Sequence, residues 1–273
     1  VAENGDEEKG QGLAFVFALL EEARGVLKAG DWHRVASSAS LATYRGQLGG
    51  ISVILAISGM GKERAEATTH ELIGEYHPET IVSLGFAGGL TSGGAAGDMV
   101  VAETLMPVEG TPLTGESTAT DARLVQASLQ VLADKDIPAQ SGICLTTAYI
   151  AANPEDKALL GEATGALAVE MESYWIGLIC KKSTVPYLVV RSIIDTVDHQ
   201  LPAYVVRYAH KVGGKSRWRQ ALPVLLRPWW IPGLLRLSTA SKQSQASLTV
   251  FTLAFAESYA QQSVASNVVS QDK

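Results

Sequence analysis

Short apolar runs alternate with polar, helix-patterned stretches along most of the chain. Leu13–Leu20 is apolar and reads as a first buried strand, followed by the charged Glu21–Lys28, which looks like a helix start. Ile51–Ser58 is a β-branched run. Gly59-Met60-Gly61 breaks it, and Lys62–Tyr76 has helical composition. Ile81–Gly85 predicts a short buried strand ending in a glycine-rich loop from Gly85 to Gly97, and Met99–Glu103 resumes as strand. Asp121–Asp134 places Leu124, Ala127, Leu129 and Leu132 at helical spacing, with Asp121 as N-cap. Ile143–Thr147 is the next strand, and Asn153-Pro154 introduces a helix from Glu155. Ser173–Lys181 reads as a buried helix and Pro186–Ser192 as a central, parallel-type strand. This alternation predicts an α/β fold: one three-layer domain with a central mixed sheet flanked by helices.

Composition and charge narrow the function. With 47% apolar and 18% charged residues over 273 positions, the chain can bury a large core. A formal net charge of -6 argues against wholesale nucleic-acid binding. Cys144 and Cys180 both sit in apolar stretches and read as buried thiols rather than a disulfide. The absence of CxxC and HExxH patterns leaves a metal site without support. Val1–Gly12 lacks the regions of a signal peptide and Leu13–Leu20 is too short to span a bilayer, so a cytoplasmic protein is expected.

The charge is uneven. No acidic residue lies between Asp198 and Glu257, while Arg207, Lys211, Lys215, Arg217, Arg219, Arg227, Arg236 and Lys242 do, together with Trp218, Trp229 and Trp230. A boundary near Gly213-Gly214 therefore divides residues 13–212, the α/β domain, from 213–273, a basic, helical C-terminal extension. Trp, Leu and Arg without acids is the composition of an interfacial membrane segment, and residues 217–237 are its candidate. An amphipathic helix packed on its own domain, or on a partner copy, fits the same composition.

Four features could carry chemistry. Gly85-Phe86-Ala87-Gly88-Gly89-Leu90 follows a strand, and its glycines would let backbone N–H groups approach an anion or a ribose. It lacks the third glycine, and the direct run into a helix, of a dinucleotide fingerprint. Val169-Glu170-Met171-Glu172 ends another strand. A carboxylate there could accept two hydrogen bonds from a ribose diol while Met171 packs on the sugar. Alternatively, the acids merely complement a helix dipole. Asp195 follows a largely apolar strand; it is either a solvated loop carboxylate or one that partial burial keeps protonated for donation to a leaving group. Glu22, just after the first strand, could hold a nucleophilic water or simply share a solvated helix face with Glu21.

In order and spacing these pieces resemble the purine nucleoside phosphorylase and nucleosidase superfamily. Those that carry the likeness are Ala18-Leu19-Leu20-Glu21-Glu22, Tyr44-Arg45-Gly46-Gln47-Leu48, Ser58-Gly59-Met60-Gly61-Lys62, Gly85–Leu90, Val169–Glu172 and Val190–Asp195. Methylthioadenosine/S-adenosylhomocysteine nucleosidases are similar over the same span. The resemblance implies that Glu172 and Met171 hold the ribose with Glu170 beside them, Asp195 protonates the purine and Glu22 holds water. It places Tyr149 and the Ile150 backbone at the base, and Phe86, Ala87 and Gly88 along the nucleophile site. It further implies no cofactor, phosphate as a conceivable co-substrate, and a homo-oligomer. Departures are Phe86 at a usually small, hydroxylated position, Ile194 in place of a serine, and Ser83 in place of a phosphate-binding arginine. Water and phosphate both stay open as nucleophile. Asp198-His199-Gln200-Leu201-Pro202 and Leu225–Leu237 look like the tail of hopanoid-associated phosphorylases, which remove adenine from adenosylhopane. That likeness implies a lipid-linked nucleoside substrate and a peripheral position at the inner membrane surface. A soluble methylthioadenosine/S-adenosylhomocysteine or futalosine-type nucleosidase, and a nucleoside-binding protein without catalysis, are the alternatives.

Overall fold

The first strand shows why its sequence is apolar throughout. In a computed structural model of the chain, β1 (Leu13–Phe17) sends Leu13, Phe15 and Phe17 into one core and Ala14 and Val16 into another, on opposite faces of the sheet. The structure describes residues 12–108, 116–201 and 231–271, with side chains in the last stretch from 235 to 263.

In chain order, β1 is followed by α1 (Leu20–Ala29), β2 (Trp32–Val35), β3 (Ala42–Leu48), β4 (Ile51–Ile57), α2 (Lys62–Glu71) and β5 (Thr80–Gly89). Then come β6 (Met99–Pro107), β7 (Thr118–Ala119), α3 (Ala122–Asp134), β8 (Ala139–Thr146) and α4 (Pro154–Thr164). The described chain closes with β9 (Ala168–Glu170), α5 (Ser173–Lys182), β10 (Tyr187–Asp195) and α6 (Ile231–Gln271).

The described strands form one ten-stranded mixed sheet in the order β10-β6-β8-β9-β5-β1-β4-β3-β2, with β7 on β6. β10 also pairs with β5, so β5, β10, β6, β8 and β9 close into a ring. Helices α1, α3 and α6 cover one face through Val26, Val125, Leu132, Phe251 and Phe255. Helices α2 and α5 cover the other through Ala65, Tyr174, Ile176 and Cys180. This is the expected three-layer α/β architecture.

Several elements differ from the sequence expectation. The glycine-rich stretch is strand as far as Gly89, because its backbone pairs in parallel with β10 on one side and with β9 at Gly88 and Gly89 on the other. β2 and β3 carry no continuous apolar run, since β2 is exposed at His33 and Arg34, and nothing in the pattern predicted them. Gly46 of β3 is a packing requirement: a Cβ there would stand 2.6 Å from the Trp32 ring. The expected helix over 62–76 changes at Leu72 into a wider π-type turn through Tyr76. Asp121 caps α3 as expected, accepting from the N–H groups of Arg123 and Leu124 at 2.8 and 3.2 Å.

The extension does not hang free of the domain. Leu248, Phe251 and Phe255 of α6 are buried in the same core as Leu13, Phe15 and Phe17. The hydroxyl of Ser244 donates to the carbonyl of Ile193 at 2.7 Å, so α6 also supports the end of β10. The boundary at Gly213-Gly214, Trp218, Trp229 and Trp230, and the part of 217–237 up to residue 230 lie outside the described residues. No helix among the described residues is long and apolar enough to cross a membrane.

Candidate active site

β5, β9 and β10 end around one cleft of about 140 Å³, with the N-terminus of α1 as its fourth side. Glu22, Phe86, Ala87, Gly88, Tyr149, Ile150, Glu170, Met171, Glu172 and Asp195 all line it, so every sequence-predicted site residue falls in one place. Among the lining residues described, none is a lysine, arginine or histidine.

Glu22 is not on a solvated face: it is 3% exposed. Its Oε2 accepts from the N–H of Leu19 and its Oε1 from the N–H of Phe86, both at 2.8 Å. Gly85 makes the second contact possible, because a Cβ there would lie 2.9 Å from Oε1. Of the glycine-rich stretch, the Phe86 N–H is taken by Glu22, and Gly88 and Gly89 pair with β9. Burial raises the Glu22 carboxyl to about 7 despite the lowering effect of its N–H partners and Arg191.

Glu172 accepts from the N–H of Gly61 at 2.7 Å, at the start of α2. That amide points inward because Gly61 has φ +92°, a conformation costly for any residue with a Cβ. Burial, then the nearby Glu170 carboxylate, raise Glu172 to about 8, with Gly61 and Arg191 opposing. Glu170 lines the same cleft and has more protein partners. Its Oε1 accepts from Thr146 Oγ1 at 2.5 Å, and its Oε2 from the N–H groups of Glu172 and Ser173, the Ser173 hydroxyl and Arg191 Nη2, these four at 2.9–3.0 Å. Arg191 Nη2 also donates to Ser83 Oγ and Ser173 Oγ at 2.8 and 2.6 Å. Glu170 therefore ties the β9–α5 turn to the floor of the cleft, with four protein donors on Oε2 and one on Oε1.

Asp195 reaches the cleft through a bulge. The β5–β10 register pairs Ile193 with Ala87 and Asp195 with Gly88, which leaves Ile194 as the extra residue. Asp195 is buried, and burial raises its carboxyl above the ordinary value against the pull of Lys157 and His199. Lys157 of α4 pairs with its Oδ2, a contact the sequence reading missed. The one signal available was that Lys157 stands a helical turn before the buried Leu160. Tyr149 is 47% exposed at the mouth, as a residue that covers an incoming flat ligand would be. Beyond Asp195, Ile194 and Leu201 a second cavity of about 580 Å³ opens toward Leu235, Leu237 and Ala240 of α6. Cys144 and Cys180 are free and buried, away from this chemistry. Among the described residues no cluster of histidine, cysteine or carboxylate side chains could hold a metal.

The Phosphorylase superfamily model matches residues 13–211. A 5'-methylthioadenosine/S-adenosylhomocysteine nucleosidase of Shewanella pealeana is 31% identical over 217 residues, covering 75% of this chain and 94% of that protein. The same-named enzyme of Helicobacter pylori, solved with butyl-thio-DADMe-Immucillin-A, matches with TM-score 0.69 at 20% identity, covering 90% of this chain and 99% of the other. The futalosine hydrolase structure of Helicobacter pylori strain 26695 matches with TM-score 0.68 at 20% identity, covering 89% and 97%.

Proposed function

This chain belongs to the phosphorylase superfamily, and from that membership and the geometry of its cleft we propose that it cleaves the N-glycosidic bond of an adenine nucleoside. The observation that carries the reading is the meeting of Glu22, Glu172 and Asp195, from three distant parts of the sequence, in one cavity. Glu172 accepts hydrogen bonds from the ribose hydroxyls while Met171 packs on the sugar, and the base lies between Tyr149 and the β5 wall. As the C1′–N9 bond lengthens, its electron pair moves into the purine and Asp195 gives a proton to the ring. Glu22, fixed at both oxygens by backbone N–H groups, takes a proton from water as the oxygen attacks C1′.

Water fits the nucleophile site better than phosphate. A phosphate dianion would meet no cationic side chain among the described lining residues, and Arg191 is occupied by Glu170 and Ser83. The finer reading is that the nucleoside carries a lipid, as adenosylhopane does. The cavity beyond Asp195 offers room for a large apolar substituent, and the basic, Trp-containing residues before α6 suit a membrane surface. Soluble methylthioadenosine, S-adenosylhomocysteine or a futalosine-type nucleoside is the second reading, motivated by the curated relative and the solved structures.

Adenine release from methylthioadenosine, S-adenosylhomocysteine and an adenosine bearing a triterpene at C5′, with and without phosphate, tests all of this. Release without phosphate, fastest from the lipid-bearing substrate, is expected. Turnover of the soluble substrates alone would sink the lipid reading, a phosphate requirement would sink hydrolysis, and no release from any would leave a binding protein.

A further inference from the structure

Lys157 takes no part in the steps above, yet it is among the most deeply buried side chains in the protein, at 0% exposure. A buried ammonium needs an acceptor for each of its protons, and Lys157 has them. Its Nζ donates to Asp195 Oδ2, to the carbonyl of Thr196 at 3.0 Å and to the carbonyl of His199 at 2.9 Å. Among the described residues Asp195 Oδ1 takes no hydrogen bond, and Asp195 lines the cleft. One oxygen is therefore anchored and the other is available to a ligand.

We propose that Lys157 is a positioning residue for Asp195, aiming its free oxygen at the departing base and stabilising the carboxylate that remains once the proton has gone. This rests on the nucleosidase reading given above. In balance, the C1′–N9 electron pair goes to the purine, the Asp195 proton to the ring, and water's hydroxide to C1′. Water's other proton goes to Glu22, and Lys157 keeps all its protons throughout. Asp195 ends the step as an anion inside a cavity, where an unpaired charge is costly and an adjacent ammonium offsets it. The groups that face Asp195 are few. α4 contributes Lys157, the turn after β10 contributes His199 (bonded to Thr196 Oγ1 at 2.6 Å), β5 contributes Gly88, and α6 brings Arg236 to the cavity that Asp195 lines on its other side.

A purely structural lysine would lower activity equally at every pH, whereas a lysine acting through Asp195 shifts the pH profile. In Lys157→Met the charge is lost at similar length. The basic limb of kcat/KM for adenine release should move up by about one pH unit or more, and the rate below it should fall at least about tenfold. In Lys157→Ala, added ethylammonium should restore part of the rate and return the limb. An unmoved limb in a folded Lys157→Met protein, or no rescue of a folded Lys157→Ala protein, overturns the inference. If both variants fail to fold, the unmodified protein decides by the 15N resonance of Lys157 Nζ. It should remain that of an ammonium across the active pH range, and a neutral amine there refutes the proposal. The levels separate: no adenine release by the unmodified protein defeats the nucleosidase reading, and release by Asp195→Asn as fast as by the parent defeats Asp195 as the acid and with it the role of Lys157. If Asp195→Asn is inactive while Lys157→Met keeps the parent's limb, only the role of Lys157 fails.

Discussion

Glu170 and Glu172 stand two positions apart on one turn, and both are buried, yet their surroundings differ. At the floor, Glu170 meets two backbone N–H groups, two hydroxyls and the Arg191 guanidinium. At the rim, Glu172 has a single backbone donor, Gly61. Glu22 and Asp195 share the rim, each held on its protein side and each raised above the ordinary carboxylate range by burial. An acid that meets five protein donors fixes the chain, whereas an acid with one or two retains both capacity and reason to meet a ligand. Position on the strand end does not separate the two kinds; the donor count does.

The largest test of that contrast is Asp195→Asn, which keeps the shape and removes the acid. Adenine release should fall by roughly 10²–10⁴-fold with nucleoside binding retained, measured by turnover and by calorimetry. At the floor the loss should appear in folding instead. Arg191→Met leaves Glu170 buried without its cation and should cost about 3–5 kcal/mol in urea unfolding. Glu170→Gln combined with Arg191→Met should cost less than the two single changes summed. A smaller effect is the pH response of Glu22. Its carboxylate form holds the water, so the rate should rise through about pH 7, and Glu22→Gln should remove that limb. The same shift has a stability sign. A raised carboxyl favours the folded state fully below its ordinary value of 4.5 and loses that contribution as pH climbs to about 7.

Much of this was legible in the sequence. The buried strands were, because both faces of β1 and most of β4, β5 and β10 are covered and their runs are apolar throughout. β2 and β3 were not, since their exposed positions carry polar residues and register with β4 alone organises them. The rim acids were legible as strand ends, but the division of labour between Glu170 and Glu172 was not. It depends on Arg191, which arrives from β10 and reads in sequence as a break in an apolar run. Lys157 was hidden in the same way, within a Glu155-Asp156-Lys157 triplet that resembles a solvated helix surface.

The placement of α6 bears on how the protein is made. Its phenylalanines complete the core that the first strand begins, and Ser244 braces the strand that carries Asp195. The ribosome synthesises α6 after every described strand, so in the nascent sheet the face that α1 and α3 cover in part stays open where α6 will pack until that helix clears the exit tunnel. A stop codon ahead of Leu248 would yield a chain with all its described cleft residues and no closed core.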